Sequence, residues 1–550
     1  MPQTSSLKNP VESTSPWAPL AHPIFRAIWI VDMVSNIGTW MQEVGAGWLM
    51  TNLSASPLMV ALVQAATSFP MMLFALPAGA LADIVDRRRL LLVALTWMLL
   101  AASTLSALTL FGLTNAPILL GLTLMLGMGA AFTMPAWAAI LPELVDKKEL
   151  HAAVALNGLA MNVSKAIGPT LAGYIMAVTS PGLVFLCNAL SFIGVLVVLL
   201  RWKRQHTSSE LPAERMLGAI RNGLRYVRHS QPVLRVMIRA GSFFIFASAN
   251  WALLPILVKH DLHGGPGDYG LAMGALGLGA ITSVFILPRL RQRLHTDVLK
   301  KACATLYAVT LALMSMVTTL PALFATAYVA GMAWLGVMSC LQGAAQMALP
   351  TWVRARGLSM FMVMFMGGMA GGSMIWGQLA TVGSVSTALQ LAAVGLSLSI
   401  LLTWRLKLIP MEGVDLNPSM HWPNPVVDAE PVLDSGPVSV TLEYVVDSAH
   451  LAKYLQLMQQ LRAARRRDGA FYWQLYQDVA ASNRYTEIFL FESWLEHLRH
   501  HQRVTHADRI LQDAIVECLV DRAYPVVRHH VAVTDFARKG LIESKLTVNS

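Results

Sequence analysis

The chain has 550 residues, of which 55% are apolar and only 13% charged, about half the charged fraction of a soluble globular domain. That balance excludes a wholly soluble protein and indicates an integral membrane protein. The net charge of +10 would suit nucleic acid, but the bases sit in alternate loops and form no single patch, as membrane orientation demands, so nucleic acid is not an expected partner.

Residues 1–22 form a polar tail rich in Pro, Ser and Thr, without the basic stretch, short apolar core and cleavage site of a signal peptide. The first membrane helix is therefore expected to serve as an uncleaved anchor. Apolar spans follow near 24–49, 58–80, 90–112, 117–139, 153–177 and 182–202, then near 233–257, 269–290, 299–320, 322–346, 357–380 and 384–406. Each is long enough to cross a bilayer. The expectation is an all-α polytopic protein with twelve transmembrane helices in two six-helix bundles, 23–202 and 233–407.

Charge in the loops sets the orientation. Even-to-odd connections hold Arg87, Arg88, Arg89, Lys147, Lys148, Arg289, Arg291, Arg293, Arg354 and Arg356, whereas odd-to-even loops carry Lys259 as their one clear base. Both termini are expected on the cytoplasmic side.

The first span carries Asp32, Asn36 and Glu43, spaced so that all three fall on one helical stripe. Charges at membrane depth cost ~2.5–3.5 kcal/mol each on insertion scales and seldom face lipid. They are expected to line a polar cavity, with Lys165 in the middle of the fifth span as the opposite charge. Two readings follow: a proton-responsive element, or a static ion pair that fixes helix packing.

Between the second and third spans lies Gly79–Arg89, a tight charged hairpin. Asp83 stands at a helix C-terminus, where the backbone dipole disfavours an acid, so a partner is expected. Gly79, Leu81, Ala82, Asp83, Arg87 and Arg88 resemble the signature loop of the major facilitator superfamily, with Asp86 where that signature has glycine. The departure implies a tighter or more acidic loop. Ser35–Met41, Phe132, Pro135, Ala136, Leu141–Leu144, Asn157, Asn162, Gly168, Pro169 and Gly173 resemble the branch that includes the enterobactin exporter and related secretion effectors. Gly168, Pro169 and Gly173 also resemble the fifth-helix motif of antiporters, in which the helix bends and closes on a neighbour. The likeness covers roughly residues 20–410. It implies two bundles working by alternating access, a cytoplasmic gate at Gly79, Asp83, Asp86, Arg87 and Arg88, and no catalytic residue, cofactor or metal.

Residues 203–232 link the halves, with Leu217, Ile220, Leu224 and Val227 at helical spacing and Arg221, Arg225 and Arg228 opposite. This fits either a helix lying on the inner membrane face or an ordinary solvated linker helix. The halves echo one another: Leu141, Pro142, Val145 and Leu150 recur as Leu349, Pro350, Val353 and Leu358 at one constant offset, as parallel repeats would.

Residues 408–437 read as an extended Pro-rich linker, and 438–550 as a soluble α+β domain. Strands are expected at 438–446, 471–479, 485–491 and 526–533, and helices at 448–466, 493–503 and 506–519. That order is a ferredoxin-like unit and resembles the antibiotic-biosynthesis monooxygenase-like domains, which implies dimerisation through sheets. Trp494, His497, His500, His501 and His506 invite an enzymatic reading of the tail. No metal-ligand spacing or nucleophile–base pair stands out, and histidines on an exposed amphipathic helix are expected to be solvated. The expected function is proton-coupled efflux of a siderophore, drug or secondary metabolite across a bacterial inner membrane, the chain not being an enzyme. The alternative is a membrane-anchored monooxygenase or ligand sensor built on the tail.

Overall fold

The computed structural model describes residues 15, 17–146, 148–202, 216–408, 414–422, 427 and 431–533, with the backbone alone at 80, 82–84, 151, 216–220 and 222. Six helices make the first half: α1 (Pro23–Leu53), α2 (Pro57–Ile84), α3 (Arg87–Leu110), α4 (Ala116–Leu144), α5 (Leu150–Val178) and α6 (Pro181–Arg201). Proline in the first turn opens α1, α2, α4 and α6, where its missing N–H costs nothing and its φ is already helical. Helix α3 opens on Asp86 instead, whose carboxylate accepts the Arg89 backbone N–H at 2.8 Å. The acid that replaces the signature glycine is thus an N-cap.

A connecting helix α7 (Met216–His229) precedes six more: α8 (Gln231–Ile256), α9 (Pro266–Arg293), α10 (Thr296–Met314), α11 (Leu320–Met347), α12 (Arg354–Val382) and α13 (Val385–Leu402). Among the described residues nine helices are long and apolar enough to cross a membrane: α2, α3, α4, α6, α8, α9, α11, α12 and α13. Helices α1, α5 and α10 carry Asp32 and Glu43, Lys165, and Lys300 and Lys301 respectively, which lower their mean hydropathy.

Two compact units emerge from the packing. The first comprises the described residues of Met1–Glu214, Ile238–Gln342 and Phe361–Lys407. Within it α2 packs on α4, α3 on α6, and α1 on both α5 and α6. Helices α5 and α9 join the halves through small residues. A Cβ on Gly173 would lie 2.8 Å from the Gly270 Cα, and one on Gly270 would lie 2.7 Å from the Pro169 carbonyl oxygen. Only glycine on both sides lets the backbones touch, the usual device where no hydrophobic effect drives helices together. The end bearing the odd-to-even loops is further held by Lys259, whose Nζ donates to the Thr51 carbonyl and to Asn52 Oδ1, both at 2.6 Å. The Leu58 N–H donates to Thr381 Oγ1 at 3.0 Å at the same end.

The second unit comprises the described residues of Arg215–Met237, Gly343–Met360 and Leu408–Ser550. Its centre is a four-stranded antiparallel sheet of β1 (Val438–Val445), β2 (Tyr472–Gln477), β3 (Arg484–Phe491) and β4 (Val526–Val531) in the order β2-β3-β1-β4. Helices α14 (Leu451–Asp468), α15 (Trp494–Arg503) and α16 (His506–Val516) complete it. Strand β1 alternates buried and half-buried residues, and its inward face joins Tyr454, Met458, Trp473, Phe489 and Phe491 in one core. Each expected element is present; β1, β2, β4 and the last helix are shorter than expected, whereas β3 begins one residue earlier, at Arg484.

Helix α7 packs on α14. The apolar stripe read from its sequence is divided: Val227 is buried, Leu224 is 57% exposed, and Leu217 and Ile220 lie outside the described side chains. Tyr226, absent from the stripe, is the most buried of its side chains, edge-on to Trp352. Among the described side chains of α7, Tyr226 and Val227 are the buried pair.

The α5–α9 contact yields a stability prediction. Gly270→Val is expected to cost about 1–3 kcal/mol, the usual price of overpacking, read as a lower thermal midpoint in detergent. Gly121→Ala, at a helical glycine with open space around it, is expected to cause no loss.

Candidate functional site

In the membrane part, the charges of α1 and α5 segregate into two places. Asp32 accepts a hydrogen bond from Asn36 Nδ2 at 3.0 Å, one turn along the same helix. Glu43, three turns further on, lies within Coulombic reach of Lys165. Lys165 Nζ stands 4.7 Å from the Trp251 ring centroid, 5.3 Å from Trp40 and 5.8 Å from Trp334. Trp40 comes from the first half, Trp251 and Trp334 from the second, and the rings contact one another. Three negative ring faces supply a cation with the attraction that water no longer gives. Glu43 also borders a small cavity of about 20 Å³ with Gln64, Trp251 and Tyr269.

Pro169 explains why α5 can meet its neighbours so closely there. It has no N–H for the Lys165 carbonyl four residues back, and a Cβ on Gly277 of α9 would come within 2.9 Å of that oxygen. Gly168 lets α1 approach, since a Cβ there would lie 2.7 Å from the Trp40 Cβ, and this seats Trp40 beside Lys165.

The signature loop is built from the arginines. Arg87 donates to the Ala139 carbonyl at 3.0 Å and to Glu143 at 2.7 Å. Arg88 donates to the Leu199 and Leu200 carbonyls at 2.7 and 2.8 Å, closing the C-terminus of α6 where a cation complements the dipole. The Asp83 side chain lies outside the described residues. Gly79 has open space around it. The second half has a corresponding cluster that the sequence reading missed: Arg239, 1% exposed, pairs with Asp297, and Lys301 bonds the same carboxylate at 2.8 Å. An arginine inside an apolar span was the available signal, by the reasoning applied to Asp32.

The second unit holds a cavity of about 1120 Å³ between the sheet and helices α15 and α16. Trp494 and His497 line it, with His500 and His501 beside them. The expectation of solvated histidines is corrected here: His497 and His500 are 1% exposed, because α15 turns this face onto Phe489 and Phe491. His506 stands outside the cavity, 3.9 Å from Asp415. Burial is the main cause that pushes the His497 imidazole down to about 3, and His501, also burdened by His529 and Arg465, down to about 4. Beneath the cavity Glu487, fully buried, accepts from Tyr444 Oη at 2.7 Å, Trp473 Nε1 at 2.7 Å and Arg465 Nε at 3.1 Å. Strand alternation places Glu487 on the face of Tyr485 and Phe489, a signal available in the sequence.

A model of the transmembrane secretion effector family matches residues 14–537. The chain belongs to that family, within the major facilitator superfamily. It is 27% identical over 257 residues to a staphyloferrin A transporter of Staphylococcus aureus, covering 46% of this chain and 64% of that protein. It is 25% identical over 267 residues to the uncharacterised transporter YfiS of Bacillus subtilis, covering 47% of this chain and 62% of that protein. The matches therefore span less than two thirds of these relatives. Among solved structures, a POT family transporter with 5-aminolevulinic acid superposes with a TM-score of 0.56 at 12% identity, over 70% of this chain and 96% of that one. The nucleoside transporter NupG does so at 0.55 and 10%, over 70% and 99%. These structures establish the fold of this secretion effector as that of a multi-pass transporter.

The tail's buried imidazoles make its stability depend on pH. Their native pKa values lie below the unfolded value near 6.5, so unfolded chains bind more protons, and stability falls as pH drops from about 6.5 towards 3. Asp468, which burial raises to about 6, works in the opposite sense but is one group against several. Limited proteolysis of the intact secretion effector is expected to cut residues 438–533 faster at pH 5 than at pH 7.5. Separately, Glu487→Leu leaves Arg465 buried without its acid and is expected to cost about 3–5 kcal/mol, read from the same proteolysis at pH 7.5.

Proposed function

We propose that this secretion effector is a secondary active transporter that exports a small molecule against protons by alternating access. On this reading all twelve long helices before Lys407 cross a bacterial inner membrane, and the arginine-rich loops and both termini face the cytoplasm, as the positive-inside rule requires. The observation that carries it is the caged lysine. Lys165 belongs to the first half, yet two of its three tryptophans belong to the second. A cation held by both halves is a contact that must break when they rock apart.

Glu43 then supplies the proton response. While ionised it balances Lys165. Once protonated it leaves the ammonium dependent on the rings alone, which shifts the balance between the two access states. Asp32 and Asn36, four residues apart on the same helix, offer a second polar step. The Gly173–Gly270 contact and the Lys259 latch close one end, and Arg87, Arg88 and Asp83 serve as the gate at the other. A static ion pair would fix the same helices, but it would not need to span both halves.

The substrate is a small amphipathic metabolite or drug, and the staphyloferrin A transporter among the relatives favours a siderophore. The tail, with its ferredoxin-like strand order, serves as a dimerisation or regulatory module. Its cavity supports one second reading, a ligand sensor whose occupancy modulates transport.

Proteoliposomes loaded with candidate siderophores or dyes test the proposal under imposed pH gradients. Glu43→Gln and Lys165→Ala are expected to lower gradient-driven efflux about 10-fold, the size of a typical coupling between sites, with Asp32→Asn weaker in effect. Unchanged gradient dependence in all three variants would remove the proton-coupled reading.

A further inference from the structure

We propose that the soluble tail carries a transition-metal site formed by His497, His501 and His529. His497 and His501 stand one helical turn apart on α15, and His529 faces them from β4. One nitrogen of each ring lies within 4.8 Å of the other two. The ring centroids of His497 lie 4.9 Å from His501 and 4.7 Å from His529. A tetrahedral ion with bonds of about 2.0–2.1 Å needs its ligand nitrogens roughly 3.3 Å apart. Closing that gap takes a contraction of about 1.5 Å, within the reach of imidazole χ rotations on a fixed helix and strand.

The second observation is an unmet demand. His497 is 1% exposed, yet neither of its ring nitrogens has a hydrogen-bond partner among the described residues, and His501 Nδ1 is likewise unpartnered. Buried polar atoms are nearly always satisfied, and orphaned ones point to an ion or water between them. Three neutral imidazoles select a divalent first-row ion such as Zn²⁺, Co²⁺, Ni²⁺ or Cu²⁺ over Mg²⁺ or Ca²⁺, which require oxygen donors. Arg465 would oppose a cation, but its charge is matched by Glu487 at 3.1 Å.

All three histidines also line the large cavity of the tail. Three protein ligands and an open fourth position describe a site that binds a further small ligand, unlike a closed structural site. Arg509 and Arg528 line the same cavity but face Asp513 and Glu443 at 3.8 and 2.7 Å, so water is the fourth ligand.

Tag-free, full-length protein in detergent, stripped with a chelator and titrated with Co²⁺, tests the site. The expected result is one Co²⁺ per chain with the visible absorption of a four-coordinate ion, displaced by Zn²⁺. His529→Gln, at a half-buried strand position, should weaken binding by more than the about 10–100-fold lost with an outer-sphere partner. His501→Gln should do likewise, while His506→Ala leaves it unchanged. Wild-type protein that binds no stoichiometric Co²⁺, or His529→Gln and His501→Gln proteins with wild-type affinity, would overturn the assignment.

Discussion

A positive charge in the middle of an apolar bundle is the constraint on which the rest of the membrane part depends. Half-buried Lys165 sits in the middle of α5 with three tryptophan faces within 6 Å of its ammonium and Glu43 within Coulombic reach. Those rings come from α1, α8 and α11, so satisfying one ammonium fixes the relation of four helices at once. Gly168 lets α1 lie against α5 beside that lysine, and Gly173, Gly270 and Gly277 bring a fifth helix, α9, against the same α5.

The same economy of means appears at the loops. Arg87 and Arg88 do not merely mark a side of the membrane: Arg87 bonds the last turns of α4 at Ala139 and Glu143, and Arg88 donates to the Leu199 and Leu200 carbonyls that the end of α6 leaves unpaired. Asp86 caps the helix between them. The second half reaches a similar result with Arg239, Asp297 and Lys301, using a carboxylate shared by two cations.

The second unit is more than the C-terminal tail. Helix α7 and residues 343–360 pack with it as one body, so the connector between the two halves and the turn between α11 and α12 are both tied to the tail. Arg221 pairs with Glu492 at 2.8 Å, Arg467 covers Tyr226 and Arg503 covers Trp352.

Periodicity, span length and loop charge made legible a mostly helical membrane protein and the strands and helices of its tail, because these depend on neighbours along the chain. Asp32, Glu43 and Lys165 were legible too, since charge in an apolar span is conspicuous by itself. The tertiary structure alone put Glu43, and not Asp32, within Coulombic reach of Lys165, placed Trp40, Trp251 and Trp334 around it, and brought His529 beside His497 and His501. It also turned α15 inward, which no local pattern revealed. These are pairings between residues far apart in sequence, and no local pattern encodes which distant side chain will arrive within 5 Å.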